Sequence, residues 1–270
     1  MKIVTFWGGL GNQIFIYAYY KWLQVKFPNE NIYGYYPSIG LSAHNGLEID
    51  KHFEVDLPPS SKFTNLIGTI LFNTARICRR MHLPFLMTCT QQNESYESLF
   101  HLDYWQDKKY ENSLFKLRYK LKEVEMKNLS ILARMESENT VAVHIRRGDY
   151  LKPGVASIYG GICTEEYYKK AIDKVCKLVN NPKFIFFSDD SRYVRDTFHL
   201  DNMIIVDWNK GEKSIFDMYL MSQCKYMILA NSTFSYWAAR LNEKAEKIFC
   251  PTRWTNNNPP DIILNNWIMI

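Results

Sequence analysis

The sequence predicts an α/β protein built on parallel sheet, and three observations carry that prediction. Apolar runs of strand length alternate with amphipathic runs of helix length across residues 139–250, the pattern of successive βαβ units. Residues 2–7 make an apolar strand that runs into Gly8-Gly9-Leu10-Gly11 and then into a helix, a second opening of the same kind. Val141-Ala142-Val143-His144-Ile145 is apolar on both faces, as a strand covered by helices on both sides must be, and it gives way abruptly to Arg146-Arg147-Gly148-Asp149-Tyr150.

Taken in order, the first strand leads to a helix from about Asn12 to Phe27, stopped by Pro28-Asn29. Asn31–Tyr36 is a second strand. Residues 37–60 carry Pro, Gly, Ser and His and read as irregular. Ser61–Arg80 is helical, with a basic end at Arg76, Arg79 and Arg80 that suits a solvated or membrane-facing surface. Pro84–Cys89 reads as a strand, and Leu102–Tyr110 mixes aromatic and polar residues in the manner of a cleft wall. The spacing of Leu114, Leu117, Leu121, Val124 and Leu129 predicts one long helix from Glu111 to about Glu136, closing the first half.

The second half begins with the strand at 140–146 and a Gly- and Pro-containing loop. Thr164 caps a helix to about Asn180, with Glu165 and Glu166 suiting its amino end. The strand Lys183–Phe187 ends in Ser188-Asp189-Asp190. A short helix, a strand at Met203–Val206, a helix at about Ser214–Cys224 and a strand at Tyr226–Ala230 follow. Asn231-Ser232-Thr233-Phe234-Ser235 then opens a helix to about Leu241, and Lys247–Cys250 is a last strand, stopped by Pro251.

Three polar clusters therefore stand at the carboxyl ends of three strands: His144 with Arg146, Arg147 and Asp149; Ser188 with Asp189 and Asp190; and Asn231 through Ser235. In a parallel sheet such ends share one rim, where ligands bind. Each cluster alone is explained by capping or by a turn. Together they suit a nucleoside diphosphate: forked guanidiniums for phosphate charge, hydroxyls and helix-start N–H groups for the remaining oxygens, and carboxylate and imidazole for a base edge. In the first half, the Gly8–Gly11 turn leads from strand to helix in the way that receives an anion, and Asn12 and Gln13 add side-chain amides at the helix mouth. That turn is not a full dinucleotide fingerprint, because Ile14 occupies the third glycine position. No Asp-x-Asp pair or His/Asp/Glu spacing suits a divalent ion, so the fixed cations are expected to act without a metal.

Composition narrows the class. Apolar residues make up 47% and charged residues 23%, which calls for a packed core. A net charge of +5 is too small for duplex nucleic acid and fits an anionic small molecule or a loose association with a membrane surface. The six cysteines are scattered with no metal or disulfide spacing and read as free thiols. No leader or membrane span is read, so the expected location is the cytoplasm, with the inner membrane face as an extension of it.

These elements resemble the bacterial α-1,2-fucosyltransferases. The resemblance rests on Gly8 to Gln13, Tyr104-Trp105-Gln106, His144 through Tyr150, Phe187-Ser188-Asp189-Asp190, and Asp217 through Asn231-Ser232-Thr233-Phe234-Ser235-Tyr236-Trp237. The sequence departs from the family at Tyr236, where Trp is usual, and at Lys225-Tyr226, where many members carry a His. The resemblance implies a two-domain GT-B fold, with residues 1–138 as the acceptor-side domain, residues 139–270 as the GDP-fucose domain, and the tail returning to the first domain. It implies inverting, metal-independent transfer of fucose from GDP-fucose to the 2-hydroxyl of a terminal β-galactoside on an oligosaccharide or glycolipid, with no cofactor. Arg147 would hold the β-phosphate with Arg146 in support, and Asp149 would be the base or would orient Arg146. His144 and one of Asp189 or Asp190 would read guanine. Asn231, Ser232, Thr233 and Phe234 would line the phosphate and fucose site, with Asn12 and Gly11 contacting the donor and Trp105 and Gln106 the acceptor. Two alternatives stand beside this: a transferase of the same fold using another GDP-sugar, and an inactive nucleotide- or carbohydrate-binding protein.

Overall fold

The computed structural model covers residues 1–270 and describes all of them except 84, 86, 112–114, 122 and 202. The chain divides into two compact units, Met1–Lys120 and Leu121–Ile270.

The first unit opens with β1 (Lys2–Thr5), α1 (Leu10–Lys26) and β2 (Ile32–Tyr35). Two short helices, α2 (Ser38–Leu41) and α3 (Ile49–His52), lie in the segment expected to be irregular, and α4 (Lys62–Arg80) follows. Of the strand expected at Pro84–Cys89, β3 (Thr88–Cys89) forms, while Pro84 and Leu86 lie outside the described residues. With β4 (Phe100–His101) these strands make a parallel sheet in the order β2-β1-β4-β3. Ile3, Tyr35, Leu71, Phe72 and Phe100 form the core between this sheet and α4.

The helix expected over 111–136 is much shorter. Leu114 lies outside the described residues, and residues 115–121 are not helical. Tyr119 forms an antiparallel bridge with Phe53. The Glu54 N–H donates to the Arg118 carbonyl at 2.9 Å, and the Lys120 N–H donates to the His52 carbonyl at 2.7 Å. The Phe115 ring meets Tyr17 and the Tyr119 ring meets Phe53. Apolar residues at helical spacing are thus satisfied one by one from a neighbouring segment, and tertiary pairing overrides local propensity.

The true helix, α5 (Met126–Ser137), belongs to the second unit, so the division falls before it and not at 138/139 as read from the sequence. Asn128 of α5 is wholly buried and exchanges hydrogen bonds with Asn209 at 3.0 Å in each direction. After β5 (Asn139–Ile145) come α6 (Pro153–Tyr159), α7 (Glu165–Leu178), β6 (Pro182–Ser188), α8 (Ser191–Thr197), β7 (Met203–Val206), α9 (Ile215–Met221), β8 (Tyr226–Ile228), α10 (Thr233–Arg240), β9 (Lys247–Cys250) and β10 (Ile268–Met269). Thr164 caps α7 as expected, accepting the Tyr167 N–H at 3.3 Å. α6 had no forecast; its Pro153 sits at the first turn, where a missing N–H costs nothing. In the tail, β10 pairs with β9 and completes the second unit's own sheet.

That sheet is parallel throughout, in the order β10-β9-β8-β5-β6-β7. Counted within the unit, this is the doubly wound order 3-2-1-4-5-6, whose direction of winding reverses between β5 and β8. On one face Val141, Val143 and Ile145 pack with Tyr168, Ala171, Val175 and Phe186. His144, alternating with them, points to the other.

Candidate functional site

Register brings the three polar clusters level. Ile145 pairs with Ser188, so Arg146 and Asp189 leave adjacent strands together. Val143 pairs with Ile228, which carries Asn231 and Ser232 to the same rim on the other side of β5. The site thus straddles the point where the winding reverses, the place in such sheets where neighbouring loops part and leave a crevice.

The two arginines are held by three carboxylates. Arg146 reaches Asp149 Oδ1 through Nη2 at 2.8 Å and Asp189 Oδ2 through Nη1 at 3.1 Å. Arg147 uses only Nε, at 3.2 Å from Asp190 Oδ2, and lays its guanidinium over the Tyr193 ring with Cζ 3.6 Å from the centroid. Its two terminal nitrogens have no partner among the described residues. Asp189 also accepts the Arg147 backbone N–H at 2.9 Å, and Asp190 caps α8 by accepting the Tyr193 N–H at 3.0 Å. Gly148 is required by close approach: a Cβ there would stand 2.6 Å from Asp189 Oδ2, on a carboxylate held through Oδ2 by Arg146 and through Oδ1 by the Arg147 N–H.

Each rim aspartate thus holds an arginine and a backbone N–H, and with two acceptor sites in use on each partly exposed carboxylate both keep lone pairs for a further donor. Asn231 is tied into the protein as well. Its amide nitrogen donates to the Tyr159 and Trp254 carbonyls at 3.0 and 3.1 Å, and its own carbonyl accepts from Tyr150 Oη at 3.0 Å. It fastens three loops together, and both of its side-chain N–H groups are used within the protein.

His144 is buried, and its Nδ1 makes no hydrogen bond among the described residues. Burial, with a smaller contribution from Arg146, pushes its pKa down to about 3, so the ring is neutral at physiological pH. Its ring lies 5.8 Å from that of Phe234 in the first turn of α10. Ser232 caps this helix by accepting the Phe234 N–H at 3.3 Å, leaving Thr233 and Phe234 half-buried at its mouth.

One residue of this unit escaped selection as a site residue. Asp217 lies in the first turn of α9, reached from the carboxyl end of β7, and is joined to the Asn128–Asn209 pair through Asn209 Nδ2 at 2.8 Å. Trp208 Nε1 donates to Asn128 at 2.8 Å in the same network. Burial raises the Asp217 carboxyl to about 7, against the smaller opposing pull of the Asn209 bond. An acidic residue in a helix's first turn is so ordinary that nothing in the sequence marks this one as half-buried against a buried amide pair.

In the first unit, Gly8 takes φ +76, and a Cβ there would stand 2.9 Å from the Tyr104 ring, so glycine is demanded twice over. Gly11 is buried in the first turn of α1. Asn12 is half-buried and accepts from Gln106 Nε2 at 3.0 Å, joining two of the expected contacts. Gln13, wholly buried, donates to the Gly8 and Gly46 carbonyls and accepts the Glu48 and Ile49 N–H groups. Trp105 cannot line an acceptor cleft: it is completely buried, stacked 3.6 Å from the Tyr19 ring. Trp7 and Tyr104, stacked at 4.7 Å and half-buried, are the aromatic pair that stays accessible beside the Gly8 turn.

Comparison with known proteins bears on all of this. Residues 72–270 match the model of the family described as glycosyl transferase family 11. The O-antigen biosynthesis glycosyltransferase WbnK of Escherichia coli is 40% identical over 136 residues, which take in 49% of this chain and 45% of WbnK, so the match spans under half of that relative. The α-1,2-colitosyltransferase of Escherichia coli is 30% identical over 97% of this chain and 96% of its own length. Among solved structures, the fucosyltransferase NodZ from Bradyrhizobium superposes with a TM-score of 0.55 at 15% identity, over 91% of this chain and 93% of NodZ. That likeness establishes a shared fold.

Proposed function

Since the chain belongs to glycosyl transferase family 11, we propose that it moves L-fucose from GDP-fucose to the 2-hydroxyl of a terminal β-galactoside, with inversion and without a metal ion, on a GT-B arrangement of its two units. The observation that carries the reading is the Arg146–Arg147 pair at the winding reversal, beside the amino end of α10.

The diphosphate comes to the rim as an anion. Arg147, engaged only through Nε, offers both terminal nitrogens as a fork, and α10 offers its first N–H groups. As the bond from the sugar to the departing phosphate stretches, charge grows on GDP and the two guanidiniums stabilise it more in the transition state than before. The ion pair of Asp149 with Arg146 supports an orienting role for that carboxylate over the role of base. With Asp189 and Asp190 engaged, we assign the guanine edge to Asp217, one of whose oxygens has no partner among the described residues, and to His144. A carboxylate accepting paired N–H donors must be ionised, so GDP affinity should rise as pH rises through about 7.

The test is incubation with GDP-fucose and lactose in the presence of EDTA. A fucosylated product with the α-configuration supports the reading; no product, together with no thermal shift on adding GDP, defeats it. A second reading, transfer of another GDP-sugar, is favoured by the colitosyltransferase relative, which matches almost the whole chain. Colitose lacks the 3-hydroxyl of fucose, and a direct comparison of the two donors decides between them.

A further inference from the structure

The helix α4 has two apolar faces, and only one of them is used. Thr64, Gly68, Leu71 and Phe72 are buried, with Leu71 and Phe72 in the core under β2. Tyr35 adds a hydrogen bond to Thr69 at 3.1 Å, and Ser61 and Thr64 close a reciprocal capping box at the amino end. The helix is therefore firmly seated by its inner face. On the outer face Phe63, Leu66, Ile70, Ile77 and the C-cap Met81 stand 65, 60, 57, 58 and 62% exposed. At about 3.6 residues per turn these five fall within an arc of roughly 60°. An apolar stripe of this size on a seated surface helix, interrupted at Asn73 and Thr74, marks an interaction site.

Charge says what covers it. Lys62, Arg76 and Arg80 lie on the side of the helix next to the stripe, and none of the three is paired with a carboxylate among the described residues. The sequence holds no Asp or Glu at all between Asp56 and Glu94. A protein partner would ordinarily be met by a mixed rim. A stripe of Phe, Leu and Ile edged only by cations matches a surface that is apolar just below and anionic on top. No helix among the described residues is long and apolar enough to cross a membrane, so this one would lie in the interface plane.

We propose that α4 is a membrane-docking helix, its Phe63–Met81 stripe entering the acyl boundary of an anionic bilayer while Lys62, Arg76 and Arg80 meet the lipid phosphates. The inference stands apart from the transferase reading and would hold whichever sugar the enzyme moves.

Flotation of the full chain with vesicles tests it. The protein rises with phosphatidylglycerol-containing vesicles, stays behind with pure phosphatidylcholine, and is released by high salt. Arg76→Gln with Arg80→Gln weakens partition by roughly 30-fold, about fivefold per charge. Ile70→Asp abolishes it, and Phe63→Trp gives an indole emission that shifts to the blue on anionic vesicles alone. Circular dichroism, melting temperature and the thermal shift with GDP stay as in the parent, because these side chains are exposed and remote from the rim arginines in the chain. The milder Ile70→Ser serves if the aspartate variant fails to fold. Absence of flotation, or flotation untouched by Ile70→Ser and by the arginine pair, overturns the proposal. So does a concentration-dependent dimer that the same substitutions dissolve, since a second copy would then be what covers the stripe.

Discussion

The two units follow one rule and put it to opposite uses. Both are parallel sheets whose strands end in polar residues. In the second unit the residues after β5 and β6 are charged, and two guanidiniums and three carboxylates hold one another at the rim, a third or so exposed, with donors to spare on Arg147. In the first unit the residues after β1 and β4 are amides and aromatics, and they turn inward: Gln13 binds four backbone groups and Trp105 disappears into the core. The difference is one of desolvation. An amide can be buried if every donor and acceptor is met by backbone, whereas a guanidinium keeps its charge and stays where water or an anion can reach it.

Four experiments would break or sharpen that contrast. The largest effect belongs to the second unit's fork: Arg147→Lys keeps the charge, loses the paired donors, and should lower turnover by about 100-fold, or about 3 kcal/mol in the barrier, with the melting temperature unchanged. Steady-state kinetics beside a melting curve read both. The counterpart in the first unit is Gln13→Ala, which orphans the buried Glu48 and Ile49 N–H groups and should lower unfolding free energy by about 3 kcal/mol by urea titration. If it instead spared stability and removed activity, the contrast between the units would fail.

The third experiment is a stability profile against pH. Each unit hides a histidine: burial, aided by Lys2 or Arg146, takes His101 and His144 down to about 3 from an ordinary 6.5. The folded chain resists protons that the unfolded chain accepts, so stability is full above pH 6.5 and falls as pH drops from there toward 3. Asp217 acts the other way, because its folded pKa of about 7 lies above the unfolded value; its contribution is full below pH 4 and lost as pH rises through 7. Asp217→Asn should remove that second slope, stabilise the chain at pH 8 and weaken GDP binding. The smallest effect expected is from Asn12→Ala, which cuts one half-buried bond to Gln106 and should cost about 1 kcal/mol or less.

The arginine-bearing rim was legible because a charged pair straight after five buried strand residues has few places to go, and strand register then follows from the apolar runs. The region 111–136 was misread for an equally physical cause. Leucines at helical spacing state that a segment will be buried periodically, but they do not say by what, and here Phe53 and His52 supplied partners that competed with the helix. Trp105 shows the same limit, since its φ of +56 and its stacking on Tyr19 depend on α1, eighty-odd residues earlier in the chain.

By itself the sequence determined the parallel α/β architecture, the succession of strands and helices from β5 to β9 apart from α6, and the residues that reach the second unit's carboxyl rim. These are matters of periodicity and of short-range capping, which the local chain controls. Only the tertiary structure decided which polar groups pair with which: Asp189 and Asp190 with the arginines, Asn231 with three loops, Asp217 half-buried with one oxygen bonded to Asn209, and one face of α4 left uncovered. Burial and pairing belong to groups distant in the chain, and the energy of a polar side chain depends on who its neighbours are.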